Sequence, residues 1–257
     1  MTDIIEEQIK KISRMLAEAK HAVVFTGSGI SAESGIPTFR GTDGLWLRYN
    51  PEEVASIYGF KRNPAKFWEF AKELIVKTKA SPNPAHYAIA ELEKEGVVKA
   101  VITQNIDMLH QNAGSKKVLE LHGSMSYVDC LDCGAEYEWE YIEKVLEEKQ
   151  PVCENCGSEF LKPRVVFFGE PLPPDALSEA MEESKRCDLF IVVGSSLVVY
   201  PAASLPDMAK RSGAKLAMVN LEPTEKDNIF DAIVYGKAGE IMPRVVEEFK
   251  RLRYGEG

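Results

Sequence analysis

Apolar and polar positions along this chain fall into two alternating patterns. Nearly continuous apolar runs recur at 21–26 (HAVVFT), 99–104 (KAVITQ), 117–123 (KVLELHG), 164–169 (RVVFFG), 188–194 (DLFIVVG), 215–220 (KLAMVN) and 232–235 (AIVY). Runs this short, rich in Val, Ile and Phe, predict strands covered on both faces, as in a parallel sheet. Between several of them lie segments with apolar residues at helical spacing, such as 83–95 and 175–186. That alternation predicts an α/β fold built on a doubly wound parallel sheet. Two stretches break it: 41–82 reads as helical with no strand, and 124–162 carries two cysteine pairs and a short helix near 139–149. Both are expected to be insertions that together form a smaller domain. The sheet domain is then discontinuous, comprising 1–40, 83–123 and 163–257.

Composition narrows the function classes. With 45% hydrophobic and 28% charged residues, the chain of 257 can build a substantial core and is not a disordered sequence. A net charge of -9 argues against a nucleic-acid binder, which needs a basic face. No run approaches the about 18 apolar residues that span a bilayer, so no membrane partner is expected. The first twenty residues mix charges with Ile, Met and Leu at helical spacing, which predicts an amphipathic helix and a cytoplasmic protein.

Candidate chemistry begins at the first strand's end. Gly27-Ser28-Gly29-Ile30-Ser31-Ala32 fits G-x-G-x-x-A, in which glycines let backbone N–H groups approach a pyrophosphate. In that position the motif points to a Rossmann-like dinucleotide site, although a glycine turn without a ligand reads the same way. The acidic residue that ordinarily follows at about 20 positions, ending a second strand, is missing. Glu52 and Glu53 fall near that distance but follow Pro51 in a helical stretch. Any bound adenosine ribose needs other partners.

Cys130-x2-Cys133 and Cys153-x2-Cys156 are separated by 19 residues, the pattern of a four-thiolate zinc site. Four sulfurs fill the tetrahedron and leave no open position, so the Zn2+ is expected to be structural. A redox dithiol or iron would use the same residues. Cys187 lies outside the set and reads as a buried thiol.

Polar strings close three predicted strand ends or their neighbouring loops: Gly35 to Gly41 (GIPTFRG), Thr103 to Asp107 (TQNID) and Leu121-His122-Gly123. Together with GSGISAESGIPTFRG, TQNIDMLHQNAG, LHG, the cysteine pairs, FFGE, GSSLVVYPAA, VNLEPT and YGKAG, in that order over about residues 20 to 245, they make the chain resemble the sirtuins, NAD-dependent protein-lysine deacylases. The resemblance implies that NAD, a co-substrate, lies between a large Rossmann-like domain and a small helical and zinc-bearing one. Gly27, Ser28, Gly29 and Ala32 would meet the dinucleotide, with Phe39 and Arg40 on a mobile loop. Gln104, Asn105, Ile106 and Asp107 would line the ribose and nicotinamide pocket. Gly194, Ser195, Ser196, Asn220, Leu221 and Ala238 would hold the adenosine side, in place of the missing carboxylate.

In the family scheme the acyl oxygen of an acetyl-lysine attacks the nicotinamide ribose and expels nicotinamide. His122, as general base, then takes a ribose hydroxyl proton so that the sugar oxygen attacks the imidate carbon, and hydrolysis by one water releases free lysine and O-acetyl-ADP-ribose. An imidazole suits this because its ordinary pKa leaves it neutral yet basic near pH 7. The acetyl-lysine protein or peptide is expected as an extended strand between Val166, Phe168, Gly169 and Glu170 on one side and Leu197, Val198 and Val199 on the other, with Phe168 a wall of the acyl-lysine tunnel. The chain departs from the commoner family form at Ser28, usually Ala, and Thr38, usually Asp. It also lacks the Tyr-x-x-Arg of succinyl-preferring members in the helix matching 67–75 (FWEFAKELI), which predicts a preference for neutral acyl groups.

Overall fold

The structure, a computed structural model, describes residues 2–41, 44–76 and 78–255. Position 1 of the expected N-terminal helix, 42, 43 and 77 of the helical insertion, and 256–257 of the sheet domain lie outside the described residues. So do the side chains of Thr2, Ile75 and Val76.

Six parallel strands form the main sheet: β1 (Ala22–Thr26), β2 (Val98–Thr103), β3 (Val118–Glu120), β7 (Leu189–Val193), β8 (Lys215–Asn220) and β9 (Ala232–Tyr235), ordered β3-β2-β1-β7-β8-β9. Alternate residues face opposite layers. Val24, Val101, Ile191 and Val219 pack under α1 (Thr2–Glu18), α4 (Pro84–Lys94) and α8 (Ala238–Tyr254). Val23, Phe25, Ile102, Val192 and Met218 pack under α6 (Pro174–Arg186) and α7 (Leu205–Arg211). Ile9, Ile12 and Leu16 line the buried stripe of α1; each such side chain contributes roughly 1.5–3 kcal/mol when fully buried. The doubly wound α/β arrangement is the expected one. Among the described residues no helix is long and apolar enough to cross a membrane.

A second, antiparallel sheet of three strands is ordered β5-β4-β6, with β4 at Gly123–Cys130, β5 at Glu136–Glu138 and β6 at Leu161–Val165. Its core joins Met125, Val128, Leu161, Val165 and Phe167 to Phe60, Phe67 and Trp68 of α2 (Ile57–Arg62) and α3 (Pro64–Ala71), and to Ile142 and Leu146 of α5 (Trp139–Glu148). Two strand expectations change here. The 164–169 run is not a parallel strand of the main sheet: its first two residues end β6, and Val165 and Phe167 are buried while Arg164 and Phe168 are exposed. The 117–123 run is split between the sheets. Gly123 has φ +70, and a Cβ there would sit 2.0 Å from the Arg164 carbonyl oxygen, so only glycine permits the turn from β3 into β4.

Candidate active site

From β1 the chain builds outward through β2 to β3, then returns on the other side of β1 as β7. The crevice between β1 and β7, at the strands' C-terminal ends, is therefore the topological switch point, where an open α/β sheet binds ligands. There the two backbones nearly touch. Gly27 N–H donates to the Val193 carbonyl at 3.2 Å and Gly29 N–H to that of Gly194 at 2.9 Å. A Cβ on Gly27 would lie 2.9 Å from the Gly194 oxygen, and one on Gly29 2.8 Å from it. The glycines are thus needed first for backbone-to-backbone approach. Beyond them Ser28–Ser34 forms a 3-10 helix. Asn83, which caps α4 by accepting from Ala85 N–H, also donates to the Ile30 carbonyl and Ser34 hydroxyl.

The loop after β2 packs a polar network against this turn. Thr26 Oγ1 donates to Thr103 Oγ1 at 2.8 Å, and Asn105 N–H donates to the same Thr103 oxygen. The Asn105 side-chain amide donates to the Gly27 carbonyl at 3.2 Å and to Ser31 Oγ at 3.1 Å. Ser31 in turn donates to Asp107 Oδ2 at 2.6 Å, while Asp107 Oδ1 accepts from Leu109 N–H. Asp107 therefore holds the first residue of the short helix Leu109–Asn112, whose N-cap is Met108, and faces the glycine turn at once. Gln104 Nε2 donates to Ser195 Oγ at 2.9 Å, bridging the loops that follow β2 and β7. Met108 and Leu197 in those loops have φ of 59° and 55°, a left-handed backbone that costs an L-residue about 1–2 kcal/mol. Strain of this kind gathers where function fixes a loop.

His122 closes the crevice. Its Nδ1 lies 2.9 Å from the Gln104 carbonyl, which can only accept, so the proton sits on Nδ1 and Nε2 keeps its lone pair. The His122 carbonyl takes Val166 N–H at 2.8 Å, fixing the ring's backbone to the segment that follows β6. Burial pushes the imidazole below the ordinary 6.5, and the bond to Gln104 pulls it part of the way back. A neutral, oriented imidazole is what a general base requires.

The remaining expected residues surround this centre at greater distance. Phe39 stacks on Trp46 (centroids 5.0 Å apart), which stacks on Phe70 at 6.0 Å and meets Phe168 edge-on at 6.1 Å. Arg40, on the same loop, is lowered by partial desolvation, and among the described residues no carboxylate pairs with it. A partly desolvated cation with no paired carboxylate among the described residues fits a pyrophosphate. Thr38 Oγ1 donates to the Arg40 carbonyl, and a Cβ on Gly41 would lie 3.6 Å from the Glu222 carboxylate, so the loop spans towards the end of β8. Ser28 and Ile106 are half-buried and Ala32 and Ser196 exposed. Asn220 donates to the Glu222 carbonyl, Leu221 is exposed, and Ala238 begins α8, whose next residue, Gly239, donates to Glu33 of the 3-10 helix.

On the substrate side, Phe168 N–H and C=O are taken by Ala55 and Ile57. An added strand must use the opposite edge of 166–170, where Phe167 N–H and C=O are already taken by the Glu170 carboxylate and Glu170 N–H, so Gly169 is the residue left to it. Leu197 is buried, Val199 half-buried and Val198 exposed.

Cys130 and Cys153 are buried in the small sheet's core, and Cys133 and Cys156 are exposed beside them. All four Sγ atoms fall within 4.8 Å of one another, with Cys130 to Cys156 at 3.6 Å and Cys133 to Cys153 at 3.5 Å. Tetrahedral thiolates about 2.3 Å from a zinc ion sit about 3.8 Å apart, so the set is positioned to bind one structural metal ion. Cys187 is apart from it and buried, its thiol pushed up to about 12 by burial.

A match to the Sir2 family extends over residues 27–201. The chain belongs to that family. The NAD-dependent protein deacylase 2 of Archaeoglobus fulgidus is 66% identical over 250 residues, covering 97% of this chain and 99% of the relative. A structure of Sir2Af2 bound to a myristoylated histone peptide is 59% identical with a TM-score of 0.88, covering 98% of this chain and 100% of its own. A Sir2 structure with a deacetylated p53 peptide and 3′-O-acetyl-ADP-ribose is 47% identical with a TM-score of 0.89, covering 93% and 98%.

Several site residues of this Sir2 chain escape sequence reasoning. Ser31 lies within the glycine motif, but only folding brings it between Asn105 and Asp107. Trp46, whose buried Nε1 has no partner among the described residues, links the Phe39 loop to Phe168 through an aromatic stack that spacing does not reveal. His86 and His110 are buried with ring centroids 4.9 Å apart, and His110 Nε2 meets Thr26 Oγ1 behind the polar network.

Proposed function

We propose that this chain is an NAD-dependent protein-lysine deacylase in which His122 is the general base. The observation that carries the reading is the fixed tautomer: Gln104 holds the Nδ1 proton, so Nε2 is the ring's one basic nitrogen. When bound, NAD would supply the electrophilic ribose carbon and the acyl-accepting hydroxyl and, with one water, would leave as nicotinamide and O-acetyl-ADP-ribose. The turn at Gly27 to Gly29 and the Arg40 guanidinium hold its phosphates. Asn105 and Asp107, locked through Ser31, shape the carboxamide pocket, and His122 Nε2 takes the ribose hydroxyl proton. The loops at Ser195 and Asn220 would hold the adenosine, with Ala238 on the adenine side.

The acyl-lysine enters as a strand along the Gly169 edge of 166–170, opposite 197–199, with its acyl group beside Phe168 and Trp46. Among the described residues no cation stacks on the rings of Phe39, Trp46, Phe70 or Phe168, which supports a preference for neutral acyl groups. One Zn2+ on Cys130, Cys133, Cys153 and Cys156 holds the small domain, formed by 41–82 and 124–162, beside the sheet domain. Four thiols grouped for a metal rather than paired in disulfides support a cytoplasmic location.

The test is His122→Ala. Acetyl-peptide-dependent nicotinamide release should fall by about 10²–10⁴-fold, with NAD binding and the melting temperature nearly unchanged. Turnover near wild type rules His122 out as the base.

A further inference from the structure

Lys162, on β6, is a largely buried cation that the chemistry above does not use. Its side chain is 11% exposed. The ammonium donates to the Val165 carbonyl at 2.9 Å and the Pro163 carbonyl at 3.3 Å, pairs with Glu170 at 3.0 Å, and lies 4.5 Å over the Phe167 ring. A desolvated ammonium is costly unless its three protons find acceptors, and here the acceptors are the two ends of one loop. Glu170 completes the closure: its Oε2 also accepts Phe167 N–H at 2.8 Å. The Phe167 ring is anchored below between Phe60 and Phe67, and the Phe168 backbone is held by Ala55 and Ile57. The loop is thus pinned from beneath, along one edge through Phe168 and along the other through Phe167, which leaves Gly169 held in place for docking.

We propose that Lys162 and Glu170 are positioning residues for the acyl-peptide, bracing 166–170 so that its docking edge is formed before substrate arrives. The proposal rests on the deacylase reading, since it concerns the same peptide site. Glu170 then acts through Lys162 and the loop's shape, and its carboxylate does not contact the peptide. A preordered edge spares the peptide the cost of ordering the loop, so the brace is read in peptide affinity rather than in chemistry.

The experiment compares the zinc-loaded wild type with Lys162→Met, Lys162→Arg, Glu170→Gln and the Met/Gln double variant, using an acetyl-lysine peptide and NAD. Lys162→Met should raise the peptide KM by about tenfold, about 1.4 kcal/mol, with kcat and the NAD KM within about twofold. Glu170→Gln should do the same, the double variant should add little to either, and Lys162→Arg should restore most of the affinity. Amide exchange at Phe167, read without substrate, should accelerate in Lys162→Met and Glu170→Gln. An unchanged peptide KM, a fall in kcat alone, or unaltered Phe167 exchange overturns the brace. If Lys162→Met does not fold, Glu170→Gln carries the same readouts. Wild type lacking any peptide-dependent nicotinamide release refutes the deacylase reading instead, and Phe167 exchange still reports on the brace.

Discussion

Gly29→Ala tests whether the glycine turn exists to let two backbones meet at the sheet's switch point. The new Cβ would stand 2.8 Å from the Gly194 oxygen, 2.9 Å from its Cα and 3.0 Å from its carbonyl carbon. That is about 0.6 Å inside ordinary contact, and every obstructing atom is backbone, so no rotamer change relieves it. Overpacking of this kind costs about 1–3 kcal/mol. The Gly29 N–H bond to Gly194, 2.9 Å long, stretches with the same movement and loses about 1 kcal/mol more. The sum predicts a melting temperature lower by about 5–15 °C. It also predicts NAD affinity weaker by at least about tenfold, because the turn's N–H groups shift with the backbone. Differential scanning fluorimetry and calorimetric titration with NAD read the two effects. Gly96→Ala is the control: φ is +74 with nothing within 4 Å, so it carries only left-handed strain of about 1–2 kcal/mol and should leave NAD affinity alone. A Gly29→Ala protein that melts like Gly96→Ala and binds NAD like wild type refutes the argument.

Four other outcomes follow from the geometry. Because burial holds His122 below 6.5, the base stays neutral into mild acid. The acid limb of kcat/KM should therefore fall below pH 6.5, and a limb above it contradicts the assignment. His86 is held down to about 4 and His110 to about 3, both chiefly by burial. Below pH 6.5 the unfolded chain takes up protons that the folded one refuses, so stability should drop as pH falls from there towards 4, by up to about 1.4 kcal/mol per pH unit for each ring; urea midpoints that fall as steeply in His110→Asn would count against this. Removing the metal with a strong chelator should open the small sheet first, since Cys130 and Cys153 belong to its core, and limited proteolysis should then cut within 124–162 while the main sheet resists. Acetyl-lysine peptide should show a higher kcat/KM than succinyl-lysine peptide, the reverse refuting the neutral-acyl reading.

The parallel strands were legible because burial on both faces leaves uninterrupted apolar runs, as in Ala22–Thr26 and Leu189–Val193, where every residue is buried. The 164–169 run misled for a physical reason. Its exposed member, Phe168, is apolar because it borders the proposed acyl site, so the two-residue alternation of a one-sided strand was masked. Gly123 hid the break between sheets, since nothing in the sequence tells that its φ is positive. The cysteine spacing revealed the metal site because four ligands in two tight pairs carry their geometry locally. Ser31 and Trp46 carry no such local sign: Ser31 acts through partners 74 and 76 residues away and Trp46 through ring stacking that reaches Phe70, whereas the partners of Lys162 are near in sequence but are brought round it only by the loop's fold.

The most direct measurement is mass spectrometry of the products formed from acetyl-lysine peptide and NAD. Deacylated peptide, nicotinamide and O-acetyl-ADP-ribose in equal amounts are predicted, and none of them should form when peptide is omitted. Acetate released without the ADP-ribose ester, or ADP-ribose attached to protein with the peptide still acetylated, would contradict the account.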